Sequence, residues 1–195
     1  ISMSKLYTLE DALSKFVHDG DSIAVSGFTT NRKPYAAVYE IIRQGIKDLY
    51  VHAGSAGGDM DILIGAGRCK AYINCYTANS GYSNVSRRFR NFIEQGRLLY
   101  EDYSMDVQTI IFHGASLGFP FVPVKHMLGS DLVEKWGISE EERKKHPKLP
   151  NKKLIVTENP FNPEEKVCLV PNWMWPSFTQ KKQRWRAPSE SKDLY

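Results

Sequence analysis

The residues best suited to chemistry in this sequence lie in one turn. Ser26-Gly27-Phe28-Thr29-Thr30 offers a glycine and three hydroxyls between a short apolar run, Ser22–Val25, and a helix-forming segment that begins at Pro34. A strand that feeds a polar glycine loop and then a helix N-terminus presents unpaired backbone N–H groups. In open α/β sheets such turns bind anionic or polarised groups. Two further loops repeat the pattern. Gly54-Ser55-Ala56-Gly57-Gly58-Asp59 and Thr77-Ala78-Asn79-Ser80-Gly81-Tyr82-Ser83-Asn84 each follow a strand-like run. All three are therefore expected at one edge of a sheet, lining one crevice. For any single loop a purely structural turn is the alternative, since strand–glycine loop–helix recurs throughout α/β proteins.

Other reactive groups carry less. Arg87-Arg88-Phe89-Arg90 reads either as a basic patch for a phosphate-bearing ligand or as a solvated helix face with Phe89 and Phe92 inward. Glu101 and Asp102 read either as a catalytic acid pair or as partners of the following helix dipole. His18, His52, His113, His126 and His146 are scattered, and none lies four residues from another histidine, so no metal centre is expected. Cys69, Cys75 and Cys168 share no metal-ligand spacing and are expected to be reduced, buried and inert, in keeping with a cytoplasmic protein. No GxSxG elbow, P-loop or GxGxxG fingerprint occurs.

The elements that must hold these loops can be read in order. Thr8 is placed to cap a helix running to Val17, and the Ser22–Val25 run predicts a buried strand. Pro34 suits the first position of a helix whose apolar stripe is Val38, Ile41 and Ile42. Further strands are predicted over 48–53, 69–76, 97–100 and 121–124. A short helix is expected from Met60 to Gly65, one capped by Ser83 or Asn84 and running through Glu94, one over 105–117 capped by Ser104, and a charged one after Ser139. Residues 154–156 and 166–170, around Asn159-Pro160-Phe161-Asn162-Pro163, suggest a hairpin. This alternation predicts an α/β fold: an open, mostly parallel sheet with helices on both faces.

At 195 residues the chain supports one good core. Its 42% apolar and 25% charged composition is that of a soluble globular protein, with no apolar run approaching the ~20 residues of a membrane span and no signal-peptide pattern near the first residues. Most of the net charge of +4 falls after residue 172, where Lys181, Lys182, Arg184, Arg186 and Lys192 outnumber Glu190 and Asp193. The near-neutral body argues against nucleic acid as a partner.

Several of these stretches together resemble the A subunits of family I CoA-transferases of the glutaconate type. The resemblance runs from about Met3 to Pro171. It includes Gly27 to Val38, Gly54 to Asp59, Lys70 to Gly81, Asn84 to Arg90, Glu101 to Ser104, Trp136 to Ser139 and Asn159 to Phe161. That family usually carries Gly-Gly-Phe at the first turn, where this sequence has Ser26-Gly27-Phe28. The resemblance implies a protein that moves CoA between an acyl-CoA, such as acetyl-CoA or glutaconyl-CoA, and a carboxylic or dicarboxylic acid. It implies no permanently bound cofactor, and a hetero-oligomer whose nucleophilic glutamate sits on a partner B subunit. On this chain it implies substrate and oxyanion contacts at Ser26, Gly27, Phe28, Thr29, Ser55, Gly57, Asn79 and Ser80, with Arg32 and Arg87 as anion contacts. A steroid-ring-opening hydrolase subunit of the same fold and a non-catalytic scaffold are the alternatives.

The resemblance stops near Asn172, which divides the chain into an incomplete CoA-transferase-like domain, 1–172, and a basic tail, 173–195. Trp173-Met174-Trp175 must be encoded TGG ATG TGG, and Pro176 begins CC. Read two bases along, this gives Asp-Val-Ala, with which the family continues. The tail is thus expected to be a frame-shifted reading, leaving an exposed sheet edge and a chain of poor stability by itself. A real disordered basic tail is the alternative.

Overall fold

Thr8 opens the regular structure: its hydroxyl accepts from Asp11 N (3.1 Å) and caps α1 (Leu9–Phe16). In chain order there follow β1 (Ser22–Val25), α2 (Tyr35–Arg43), β2 (Leu49–Ala53), β3 (Ser55–Ala56), α3 (Gly58–Gly65), β4 (Cys69–Asn74), β5 (Tyr76–Thr77) and α4 (Arg87–Glu94). Then come β6 (Leu99–Asp102), α5 (Met105–Ser116), β7 (Phe121–Val124), α6 (Asp131–Glu134), α7 (Glu140–Lys144), β8 (Ile155–Asn159) and β9 (Asn162–Pro171). The computed structural model describes residues 6–79 and 81–173. Ser80, expected in the site, and residues 174–195 of the expected frame-shifted tail, 173–195, lie outside the described residues, whereas Trp173, the first residue of that tail, is buried in the core.

β1, β2, β4 and β6 form a parallel sheet in that order. Each strand is laid beside its predecessor in the same direction, so crossovers of one hand must put every connecting helix on one face. That face buries Val38 and Ile41 of α2, Met60, Leu63 and Ile64 of α3 and Phe89 of α4 against Leu49, Val51 and Tyr72 of the sheet. The side chains of the same strands alternate, so Tyr50, Ala71 and Ile73 point the other way. They pack against Val107 and Ile111 of α5 and Val122, Val124, Cys168 and Val170 of a second layer. Helices therefore cover both faces, as the alternation predicted.

The second layer is a three-stranded antiparallel sheet, β7-β9-β8. It contains the expected 154–170 hairpin, which closes with Phe161 N donating to Asn159 Oδ1 (3.0 Å). It also takes in Phe121–Val124, which therefore adds no fifth strand to the parallel sheet. Pro123 is tolerated there because β7 pairs on one side only.

Several boundaries differ from the sequence reading. Pro34 is the N-cap of α2, one residue before the helix. The third strand ends at Asn74, and Tyr76–Thr77 peel off to pair with Ser55–Ala56. Neither Ser83 nor Asn84 caps α4: the N-cap is Ser86, whose side chain makes no capping bond. The acceptor comes from another helix, since Asp61 Oδ1 in α3 receives Arg88 N (2.8 Å) and Phe89 N (2.9 Å). A tertiary cap of this kind satisfies the free N–H groups of the first turn, and local sequence gives no sign of it.

Candidate functional site

The site begins where β1 ends. Gly27 has φ 118°, and a Cβ there would lie 2.7 Å from Arg32 O, so the chain can turn back on itself only with glycine at this position. Beyond it Phe28 N donates to Asn31 O (3.0 Å) and Asn31 N to Phe28 O (2.8 Å). Thr29 and Arg32 both hold positive φ, 47° and 55°. Non-glycine residues in this region are costly unless the surroundings over-determine them, and here cross-loop bonds supply the constraint.

Those bonds join the first turn to the second. Thr29 N (3.2 Å) and Lys33 Nζ (2.8 Å) both donate to Ser55 O. Lys33 also lies 3.8 Å from Asp59. Burial pulls the Lys33 ammonium below its ordinary pKa, and the Asp59 carboxylate opposes the shift. Gly57 then receives all three loops. A Cβ on it would sit 2.8 Å from both Thr29 O and Asn79 Oδ1 and 2.9 Å from Ala78 O. β3 and β5 zip the second and third loops together, extended by Ala78 N donating to Ala56 O (3.1 Å). Below them Tyr72 OH and Thr77 Oγ1 hydrogen-bond at 2.9 Å, with Asn74 Nδ2 donating to Tyr72 OH at 3.0 Å.

A cavity of about 520 Å³ opens beside the first turn. Ala24 to Phe28 form one wall, Gly54, Ser55 and Cys75 the floor, and Met105, Gln108, Thr109 and Phe112 of α5 the other wall. Of the residues expected from sequence, Ser26, Gly27, Phe28 and Ser55 meet there. Arg32 lines an adjoining cleft that shares Ser26 to Phe28. Thr29 and Gly57 lie behind the wall as loop anchors. Asn79 and Arg87 face a separate cleft with Asp61, Tyr82, Ser83 and Arg88, where Arg88 pairs with Asp61 (3.2 Å). Phe28 contributes its ring but not its N–H, which Asn31 O occupies. Among the described residues the Gly27 N–H has no such partner.

Sequence reasoning missed the α5 wall. Met105, Gln108, Thr109 and Phe112 follow helical 3-4 spacing, a signal indistinguishable from a core-facing stripe. Cys75 also departs from expectation: it is half-buried at the cavity rather than in the core, and burial holds its thiol above the usual pKa. His52 is fully buried beside Trp173, with ring centroids 6.0 Å apart, and burial lowers its pKa to about 4. Glu101 is neither a catalytic acid nor a helix-dipole partner. Its carboxylate accepts from Arg143, Gly137 N (3.1 Å) and Ile138 N (3.3 Å), wholly buried. Among the described residues no cluster of three His, Cys, Asp or Glu side chains could hold a metal, and no helix is long and apolar enough to cross a membrane.

Residues 6–161 match the coenzyme A transferase family. The chain belongs to that family. It is 61% identical over 169 residues to the A subunit of glutaconate CoA-transferase from Acidaminococcus fermentans, covering 87% of this chain and 53% of the relative. It is 38% identical to the A subunit of 3-oxoadipate CoA-transferase from Pseudomonas knackmussii, over 67% of this chain and 46% of that one. The crystal structure of the Acidaminococcus fermentans glutaconate coenzyme A-transferase superposes with a TM-score of 0.84, covering 86% of this chain and 53% of that chain. The chain thus spans about half the length of the curated relatives it matches.

Proposed function

We propose that this chain acts as the A subunit of a CoA-transferase, moving CoA between an acyl-CoA and a short carboxylic or dicarboxylic acid, with the nucleophilic glutamate supplied by a partner B subunit. The observation that carries the reading is the make-up of the cavity wall: a strained strand–turn backbone, hydroxyls, one thiol, one amide and apolar side chains, but no carboxylate among the described residues. A site built to hold an acyl group, without a carboxylate nucleophile of its own among the described residues, is half of a catalytic centre of this kind. The likeness to chains named as A subunits supports transfer over ring-opening hydrolysis.

The chemistry of such an enzyme runs through a carboxylate. The glutamate attacks the acyl-CoA carbonyl carbon, the C–S bond of the tetrahedral adduct breaks, and CoA leaves as a thiolate while the acyl group remains on the glutamate as a mixed anhydride. The thiolate then attacks the glutamyl carbonyl of that anhydride, releasing the first acid and leaving CoA as a glutamyl thioester. An incoming acid reverses the two steps. Each attack builds an oxyanion that preorganised donors must hold. In this chain the Gly27 N–H, without a backbone partner among the described residues, is a donor able to do so, and Ser26 adds a hydroxyl beside it. Arg32, on the adjoining cleft, and Arg87, on the separate one, are the anion contacts of the reading, for substrate carboxylates or CoA phosphates.

Trapping tests it. Borohydride or hydroxylamine added during turnover of the co-expressed pair should mark a glutamate of the partner, and this chain alone should show no transfer. A CoA adduct on any glutamate of this chain overturns the reading.

A further inference from the structure

Two polar side chains in the cavity wall have no hydrogen-bond partner among the described residues. Gln108 is 1% exposed, yet neither its Oε1 nor its Nε2 has a hydrogen-bond partner among the described residues. Ser55, 6% exposed, leaves its hydroxyl equally unpaired while its backbone carbonyl is taken by Thr29 and Lys33. Buried amides and hydroxyls are almost always paired, because the unpaired state destabilises the fold. Here both face one cavity, from α5 and from the second loop. Thr109, also in that wall, has its hydroxyl tied to Met105 O (2.9 Å). Met105 and Phe112, one turn to either side of Gln108, are apolar, and no cation among the described residues lines the space.

Resting on the transfer reading, we propose that Gln108, seconded by Ser55, is a specificity-determining residue: it hydrogen-bonds a second oxygen on the acyl group, one other than the reacting carboxyl. The apolar wall takes the methylene chain, the Ser26–Phe28 turn takes the reacting end, and the Gln108 N–H and Ser55 O–H donate to the second oxygen. A neutral carboxamide and a hydroxyl recognise by hydrogen bond rather than by charge, so a ketone oxygen and a carboxylate oxygen share the required chemistry. An acid lacking that oxygen leaves two buried groups unpaired. Sites built to bond a substrate oxygen discriminate steeply against analogues without it, whereas apolar walls discriminate weakly.

The test uses the assembled enzyme with its partner, acetyl-CoA as donor and three acceptors of similar length: glutarate, 4-oxopentanoate and pentanoate. Wild type should favour at least one oxygenated acid over pentanoate in kcat/KM by about tenfold or more. Gln108→Met, equal in bulk but without the amide, should collapse that ratio, and Gln108→Asn serves if the methionine variant does not fold. Loss with glutarate alone assigns a carboxylate, and loss with 4-oxopentanoate alone assigns a neutral carbonyl. Equal losses for all three acids, or no preference in wild type, overturn the proposal. Thermal shift with the acids alone gives an arm independent of turnover: stabilisation by an oxygenated acid should be present in wild type and lost in the variant. If no acid is turned over, the transfer reading fails, and this arm still decides the role of Gln108.

Discussion

Glu101 and Arg143 are joined in an ion pair from which water is excluded, both side chains fully buried and 42 residues apart in sequence. The guanidinium also donates to Ile138 O (3.0 Å) and Pro150 O (3.3 Å), and it lies over the Trp173 ring at 4.7 Å. Lys153 Nζ sits 3.0 Å from the same carboxylate. One acid at the end of β6 thereby ties down the segment from Gly137 to Lys153.

Removing the acid leaves Arg143 in the core without a counter-ion, whereas removing Arg143 would leave Glu101 paired with Lys153. Glu101→Gln should destabilise by about 3–5 kcal/mol, read as a lowered urea midpoint at unchanged slope. Substrate KM of the assembled enzyme should stay near wild type, because the cluster does not line the cavity. A variant of wild-type stability would remove the cluster as the anchor of this segment.

Gly27→Val tests the turn. The Cβ would meet Arg32 O, and the positive φ suits glycine alone. Displacing the Gly27 N–H from a developing oxyanion should cost about 2–4 kcal/mol in transition-state stabilisation, seen chiefly in kcat. Unchanged kcat/KM in a folded complex takes the turn out of the site.

At Gly57 the meeting of the three loops can be disturbed without touching the cavity wall. Gly57→Ala places a methyl against Thr29 O, Asn79 Oδ1 and Ala78 O. Overpacking of this kind costs about 1–3 kcal/mol, and hydrogen exchange should rise together at Thr29 and Ala78. Independent changes in the two loops would show that they are not coupled.

His52 makes stability depend on pH. Its folded pKa, about 4, lies below the 6.5 of the free side chain, so between these values the unfolded chain binds the proton and the folded chain does not. Stability from this group is complete above pH 6.5 and is lost as pH falls, by about 3 kcal/mol at pH 4. His52→Phe should flatten that part of the profile relative to wild type; parallel profiles would refute it.

How much of this was legible depended on whether the signal was local. β1, the Thr8, Ser104 and Ser139 caps and the first two polar loops follow from apolar runs, hydroxyls and glycines within a few residues, and they stand where the sequence puts them. β1, expected to be buried, is however only partly so at the sheet edge, and the third loop opens on a cleft of its own. What escaped is long-range. Asp61 caps a helix 27 residues away, Glu101 is neutralised from 42 residues away, and α5 turns its 105-108-109-112 stripe toward a cavity instead of the core. Periodicity says that a face is covered, never by what. Ser26, Gly27, Phe28 and Ser55 converge because parallel strands deliver their loops to one rim, whereas Asn79 and Arg87 turn aside to the Asp61 cleft.

The two walls of the cavity differ in what they are made of. On the β1 side the wall is a backbone held by bonds to Asn31 and to the Ser55 carbonyl, and a side chain at Gly27 would disturb its shape. Opposite, four side chains stand on a helix whose own hydrogen bonds do not depend on them. On the transfer reading, reaction and selectivity are thus heritable separately: a lineage, or an engineer varying only positions 105, 108, 109 and 112, would move to a new acid while the turn that meets the reacting end stays intact.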